Sequence, residues 1–223
     1  MQKLSKKELK RDEFISLAAT LIDRAHKNPK RTTIGLIAIL TIIISVPLFF
    51  SHQRSLNELA LDKFSQAYNY YTQRDYTKAL ESFDEILSKH PRTKSAPDAL
   101  FYTGQCHYRL KDYDKAIQAY QRYLKRYPRL FFSPNALEGI GYSYEAQDNY
   151  QEAISAYQRF LEDRPGHYLS GQLQLNIGRC YEETESWARA KETYQNILDF
   201  DPHSSSKDSA QSRLRWIDAN IDE

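Results

Sequence analysis

Two cysteines in 223 residues exclude a disulfide scaffold, and the lack of any CxxC or His/Cys cluster excludes a structural zinc site. With only 7 Gly and 8 Pro the chain is neither collagen-like nor linker-like, and 41% hydrophobic residues are too many for a fully disordered one. Gly-rich phosphate motifs are absent. His26, His52, His90, His107, His167 and His203 are scattered, and no Ser/His/Asp or paired-carboxylate arrangement accompanies them. Neither catalysis nor a cofactor or metal is therefore expected. What is abundant is tyrosine: 17 of them, all between Tyr68 and Tyr194.

Charge is missing from one stretch altogether. Residues Thr32 to Phe50 form nineteen positions without a charge, about the length that spans the hydrocarbon of a bilayer as a helix. Pro47 falls in the last turn of this run, where a lost backbone bond is tolerable. A cleaved signal peptide is the competing reading, but its charged region would be unusually long and no small-x-small cleavage site follows, so an uncleaved anchor is expected. Residues 1–31 hold nine Lys/Arg against four acids, whereas the residues after Ser51 carry 22 basic and 25 acidic side chains. This asymmetry predicts a cytoplasmic N-terminus and an exported remainder, in a bacterium the periplasm. The tail has a helical stripe of Phe14, Leu17, Ala18, Leu21, Ile22 and Ala25. It suits either a helix lying on the inner leaflet or a solvated one.

The rest repeats. Ala79, Ala116, Ala153 and Ala190 stand 37 residues apart, as do Pro91, Pro128, Pro165 and Pro202, and likewise Gly104, Gly141 and Gly178. An aromatic follows each alanine by four residues (Phe83, Tyr120, Tyr157, Tyr194), and another precedes it by three (Tyr76, Tyr113, Tyr150, Trp187). So strict a period marks a solenoid. Small residues at fixed places let two antiparallel helices approach, and the aromatics fill the volume beside them. Asp75, Asp112, Asn149 and Ser186 are placed to cap the second helix of each pair, and Ser133-Pro134 reads as an N-cap followed by proline at the first helical position.

Within one period, Leu137-x-x-Ile140-Gly141-x-x-Tyr144, then Ala153-x-x-x-Tyr157, then Pro165, resembles the tetratricopeptide repeat (TPR). Gln174 departs from the pattern and is flanked by Leu173 and Leu175, while the first period, with Lys63, Gln66 and Ala67 before Tyr70, is the weakest. The resemblance covers about Ala60 to Pro202. It implies an all-α fold, a right-handed solenoid of four helix-turn-helix repeats plus a capping helix, preceded by one transmembrane helix. The expected organisation is a basic cytoplasmic tail (1–31), a transmembrane helix (32–50), a juxtamembrane helix (51–59), four repeats (60–202) and a capping helix (203–223), the last with Ala210, Leu214, Ile217 and Ile221 on one face. Three residues added after each proline are similar to the links of bacterial envelope TPR proteins, such as the barrel-assembly TPR lipoprotein and the Tol-Pal coordinator. The anchor with exported repeats is similar to the Sec-translocon ancillary TPR protein.

The resemblance also implies what the surface does. TPR solenoids bind protein partners or peptide segments along a concave wall built by the first helices of the pairs. The wall positions nearest the anchor are aromatic, which singles out Phe64, Tyr68, Tyr71, Phe101, Tyr108 and Tyr142 as protein-binding residues. Phe64 and Tyr68 stand where a carboxylate clamp would need Lys and Asn, so capture of acidic C-termini is not expected. Most tyrosines serve packing, and Leu130, Phe131 and Phe132 either contact a partner or fold under the adjoining repeats. The implied role is a membrane-anchored scaffold or adaptor for export or assembly in the cell envelope, without nucleic-acid or small-molecule partners. The alternatives are a stoichiometric subunit of an envelope machine and, against the charge asymmetry, a cytosol-facing organelle receptor. Cys106 and Cys180, at one repeat position two periods apart, are expected to stay free.

Overall fold

The computed structural model describes residues 29–200 and 206–221; the tail stripe from Phe14 to Ala25 and Pro202 lie outside the described residues. Among the described residues there are nine helices: α1 (Pro29–Thr72), α2 (Tyr76–Lys89), α3 (Ala96–Arg109), α4 (Tyr113–Arg126), α5 (Ser133–Glu145), α6 (Tyr150–Asp163), α7 (Ser170–Glu183), α8 (Trp187–Phe200) and α9 (Lys207–Asn220). The chain divides into two compact units, one ending at Ser55 and the other being Leu56–Glu223.

In the first unit, α1 is the one described helix long and apolar enough to cross a membrane, by length and composition. Its apolar side chains are uncovered, from Ile34 at 67% exposure to Phe50 at 65%. The hydroxyls of this stretch are satisfied within the helix: Thr33 donates to the Pro29 carbonyl (2.8 Å) and Thr41 to that of Ile37 (2.6 Å). This is how hydroxyls sit in apolar surroundings without unpaired polar groups. Pro47 does not end the helix, which continues to Thr72.

The second unit is a stack of hairpins. The C-terminal part of α1 pairs with α2 through Ala67, Ala79, Phe83 and Ile86; α3 pairs with α4, α5 with α6 and α7 with α8, and α9 lies on α8. The alanine and aromatic of each period are buried together, as with Ala153 and Tyr157 or Ala190 and Tyr194, both partners at no more than 1% exposure. Three of the glycines give these rings room. A β-carbon on Gly141 would lie 2.1 Å from the Tyr157 ring, one on Gly178 2.3 Å from Tyr194, and one on Gly104 2.6 Å from Tyr120. In the fourth pair Leu173, fully buried, enters the core beside Gln174. Ala210 and Ile217 of α9 bury against Ala190, Tyr194 and Ile197, covering the last hairpin. Cys106 and Cys180 are buried free thiols, and burial pushes both up to about 12.

Every hairpin turns through a residue with positive φ that is not glycine: Arg74 (63°), Lys111 (64°), Asp148 (58°) and Glu185 (53°). The next residue donates its backbone N–H five positions back, Asp75 to Tyr70, Asp112 to His107, Asn149 to Tyr144 and Ser186 to Tyr181, at 2.8–3.0 Å. This closure satisfies the last carbonyls of the first helix. The capping expectation holds in part. Asp75 accepts from the Lys78 amide (3.2 Å), but Asp112 and Asn149 make no side-chain cap bond. Asp112 instead faces Lys115 (3.4 Å). Ser133 is the first residue of α5, not its cap, because its hydroxyl donates to the Tyr127 carbonyl (2.8 Å) and draws it into the turn. Asp75→Ala should therefore lower the urea midpoint, and Asp112→Ala should lower it less.

Between pairs run three links with a common arrangement. The Lys94 amide donates to Asn57 Oδ1 (2.9 Å), Arg126 Nη2 to the Pro91 carbonyl (3.0 Å) and Arg164 Nη2 to the Pro128 carbonyl (3.2 Å). The start of the second unit and the three links thus line one edge, and the four hairpin turns line the other.

Candidate functional site

The inner wall is formed by the first helices of the pairs, and side-chain bridges join the later ones. At its start Arg109 of α3 lies beside Tyr71 of α1, which favours the charged guanidinium. Glu145 of α5 accepts from Arg179 Nε of α7 at 3.2 Å and from the hydroxyl of Tyr157 beneath it. Glu182 of α7 repeats the motif, accepting from Tyr194 (2.6 Å) and from Arg213 of α9 (3.1 Å). Burial pushes the Tyr157 and Tyr194 hydroxyls well above the ordinary tyrosine range, and the adjacent carboxylates push them further.

Between α3 and α5 no such bridge crosses among the described residues, and a cavity of about 330 Å³ opens there, lined by Gln105, Tyr108, Arg109, Asn135, Glu138 and Tyr142, with Tyr120 as floor. Position 139 is glycine here, and a β-carbon would strike the Tyr120 ring at 2.7 Å. Glu138 is held above the usual carboxylate range by burial, opposed by the Tyr142 hydroxyl that donates to it at 3.1 Å. Among the described residues the side chains of Gln105 and Asn135 have no hydrogen-bond partner. The cavity therefore offers two amides, one cation and one desolvated carboxylate, a set able to pair with both the N–H and C=O groups of an extended chain.

Beside it lies an aromatic cluster centred on Tyr102. Its ring centroid is 5.8 Å from Phe64, 5.3 Å from Tyr68, 5.2 Å from Tyr71 and 5.6 Å from Phe83. Burial, with Tyr68 alongside, raises its hydroxyl strongly.

The expected binding residues are thus divided. Tyr108 and Tyr142 line the cavity; Phe64 and Tyr71, half-buried, and Tyr68, 41% exposed, form the aromatic cluster. Phe101 is a correction: at 4% exposure it is core, stacked on Phe132 at 4.4 Å and flanked by Tyr120 and Tyr123. The link Leu130–Phe132 splits for the same reason, since Phe132 is the residue that folds under, while Leu130 and Phe131 stay exposed at 45% and 85%. Tyr102 was missed. Its period equivalents are Ser65, Gly139 and Asn176, so a break in the repeat was the signal that marked it. A larger cleft of about 640 Å³ lies on the other face, between α4 and α6, floored by Leu124, Leu137 and Ile140. Among the described residues no cluster of three or more His, Cys, Asp or Glu is placed to hold a metal.

Two family profiles described as tetratricopeptide repeat match residues 64–130 and 132–202. Solved structures similar in fold include a tetratricopeptide repeat protein from Parabacteroides merdae (TM-score 0.59, 18% identity, 72% of this chain and 60% of that one). Others are the MamA RS-1 ArsTM double mutant (0.58, 18%, 74% and 85%) and PilF of Pseudomonas aeruginosa (0.57, 17%, 74% and 71%). The chain thus spans less than two thirds of the Parabacteroides protein. No curated protein matches in sequence. At these identities the likeness concerns the fold alone.

Proposed function

Because the chain belongs to the tetratricopeptide repeat family, a family of protein-interaction scaffolds that are generally not enzymes, we propose that it is a membrane-anchored adaptor that holds an extended protein segment on its inner wall between α3 and α5. The observation that carries this reading is the unbridged cavity with its unpaired amides at Gln105 and Asn135 and its desolvated Glu138. Further along the wall, α5 with α7 and α7 with α9 spend polar groups on bridges within the protein. A segment seated there would satisfy these groups with its backbone and lay an apolar side chain on Tyr68, Tyr71 and Tyr102. Residues 32–50 are its anchor, the N-terminal tail is cytoplasmic, and the repeats act outside the cytoplasm, at the inner membrane of a bacterial envelope, in protein export or complex assembly. The charge-free run and the basic tail before it support this placement.

Gln105→Ala with Asn135→Ala removes no side-chain hydrogen bond among the described residues. It should reduce capture of the physiological partner about tenfold, which corresponds to about 1.4 kcal/mol, and leave helical circular dichroism and melting unchanged. A photo-crosslinking residue at position 105 should trap that partner, and one at Arg159, in the larger cleft, should not. Trapping from position 159 alone would move the binding surface to the other face. A reporter active only outside the cytoplasm, fused after Glu223, tests the topology; activity of a cytoplasm-only reporter there would refute it.

A further inference from the structure

We propose that the edge of the second unit formed by the inter-repeat links rests on an anionic lipid surface, and that the hairpin-turn edge faces away from it. This rests on the membrane-anchor reading above and extends it from the anchor to the repeat unit itself.

The two edges differ in charge. The segments that build the first two links, residues 86–97 and 123–137, contain no Asp or Glu, and Arg92, Lys94, Arg126 and Arg129 are exposed on them. The opposite edge carries an acid at every hairpin turn, Asp75, Asp112, Asp148 and Glu185; Arg74 and Lys111 balance the first two, and the last two have no cation beside them in the turn. Cations near an anionic membrane are attracted individually and additively, and acids are repelled. The two most exposed aromatics of the unit also stand on the link edge. Phe131 is 85% exposed and Tyr168 81%, one period apart in consecutive links, with Leu130 at 45% beside Phe131. Phe131 touches Phe132 (5.1 Å) and Tyr168 touches His167 (4.5 Å) while staying largely uncovered, and exposed aromatic side chains interleaved with cations suit the headgroup region of a bilayer.

Chain continuity puts this edge within reach of the bilayer. The link edge begins at Asn57, whose side chain holds the Lys94 amide. Asn57 is seven residues after Phe50, the last residue of the apolar run. Even fully extended, such a connection spans no more than about 25 Å. The basic links are also the first two, nearest the entry of the chain, whereas the third is preceded by Glu162 and Asp163. A protein partner would place no demand on that order; a surface reached from the anchor does.

The test uses the full chain reconstituted into vesicles of phosphatidylcholine containing a minority of phosphatidylglycerol, with some lipid carrying a headgroup nitroxide. A fluorophore is attached at Phe131→Cys or, on the opposite edge, at Leu110→Cys; buried Cys106 and Cys180 leave the label selective. The expected result is strong quenching at position 131 and little at 110, with quenching at 131 falling about threefold or more when Lys94→Glu and Arg129→Glu are added or when phosphatidylglycerol is left out. Flotation of the same samples reports the anchor separately. A chain that does not float with the vesicles overturns the anchor reading and this inference together. A chain that floats but shows equal quenching at the two positions, or quenching indifferent to lipid charge, overturns this inference alone, including where the edge meets a protein.

Discussion

Gly141→Ala should lower the melting temperature by roughly 5–10 °C, an unusually large response to one methyl group. The new β-carbon would lie 2.1 Å from Cε1 and 2.5 Å from Cζ of Tyr157. The ring has nowhere to retreat. It is fully buried among Ala153, Phe160 and Leu173, and its hydroxyl is tied to Glu145, which Arg179 holds in turn. Overpacking of this kind costs about 3 kcal/mol, and the better helix propensity of alanine returns about 1. The remaining 2 or so kcal/mol shift the midpoint of a unit this size by about 2–4 °C each, with the upper part of the range reached if the Tyr157–Glu145 bond breaks as well. The cause is separable from a general intolerance of substitution. In a Tyr157→Ala background the obstacle is gone, so Gly141→Ala should then be neutral or mildly stabilising. If it destabilises both backgrounds equally, the close approach of helix to ring is not the reason for the glycine. Gly166, which has nothing within 4 Å but a φ of 73°, should respond to alanine through backbone strain alone, by about 1 kcal/mol.

Raising the pH from 8 to 11 should remove about 4 kcal/mol of folding stability through three tyrosines, with Tyr102 adding to the loss. Burial raises the hydroxyls of Tyr120, Tyr157 and Tyr194 above their ordinary value in the folded chain, and carboxylates add to this at the last two. In the unfolded chain each titrates near 10. Below that pH both states are neutral and the contribution is complete. Above it the unfolded chain releases protons that the folded chain must keep, so stability falls by up to about 1.4 kcal/mol per pH unit for each group. The loss ends only when the pH passes the raised value in the folded state. Urea midpoints at pH 8, 10 and 11 measure it. Tyr157→Phe should lessen the alkaline loss at pH 11 by about 1.4 kcal/mol. An identical decline in wild type and Tyr157→Phe would show that deprotonation of lysines, not of buried tyrosines, drives the change.

The period of 37 was enough to give the helix pairs, their aromatic filling and the small residues that admit it. These are contacts within a hairpin, and they recur at fixed spacing because every unit solves the same packing problem. Position 12 before each alanine had to be small because one ring occupies that volume, and the sequence shows both partners. Features set by one repeat against the next were not legible. Phe101 looked like a wall residue, yet Phe132 from the following link covers it at 4.4 Å. Tyr102, Gly139 and Asn176 share one register, but a ring, a gap and an amide there make three different surfaces. The left-handed turns at Arg74, Lys111, Asp148 and Glu185 carry no glycine to announce them, since the backbone bond closing each helix end holds the conformation. The cavity between α3 and α5 opens where, among the described residues, no hydrogen bond or ion pair joins side chains of the two helices. That depends on the length and direction of particular side chains across a stack, which a linear pattern does not encode.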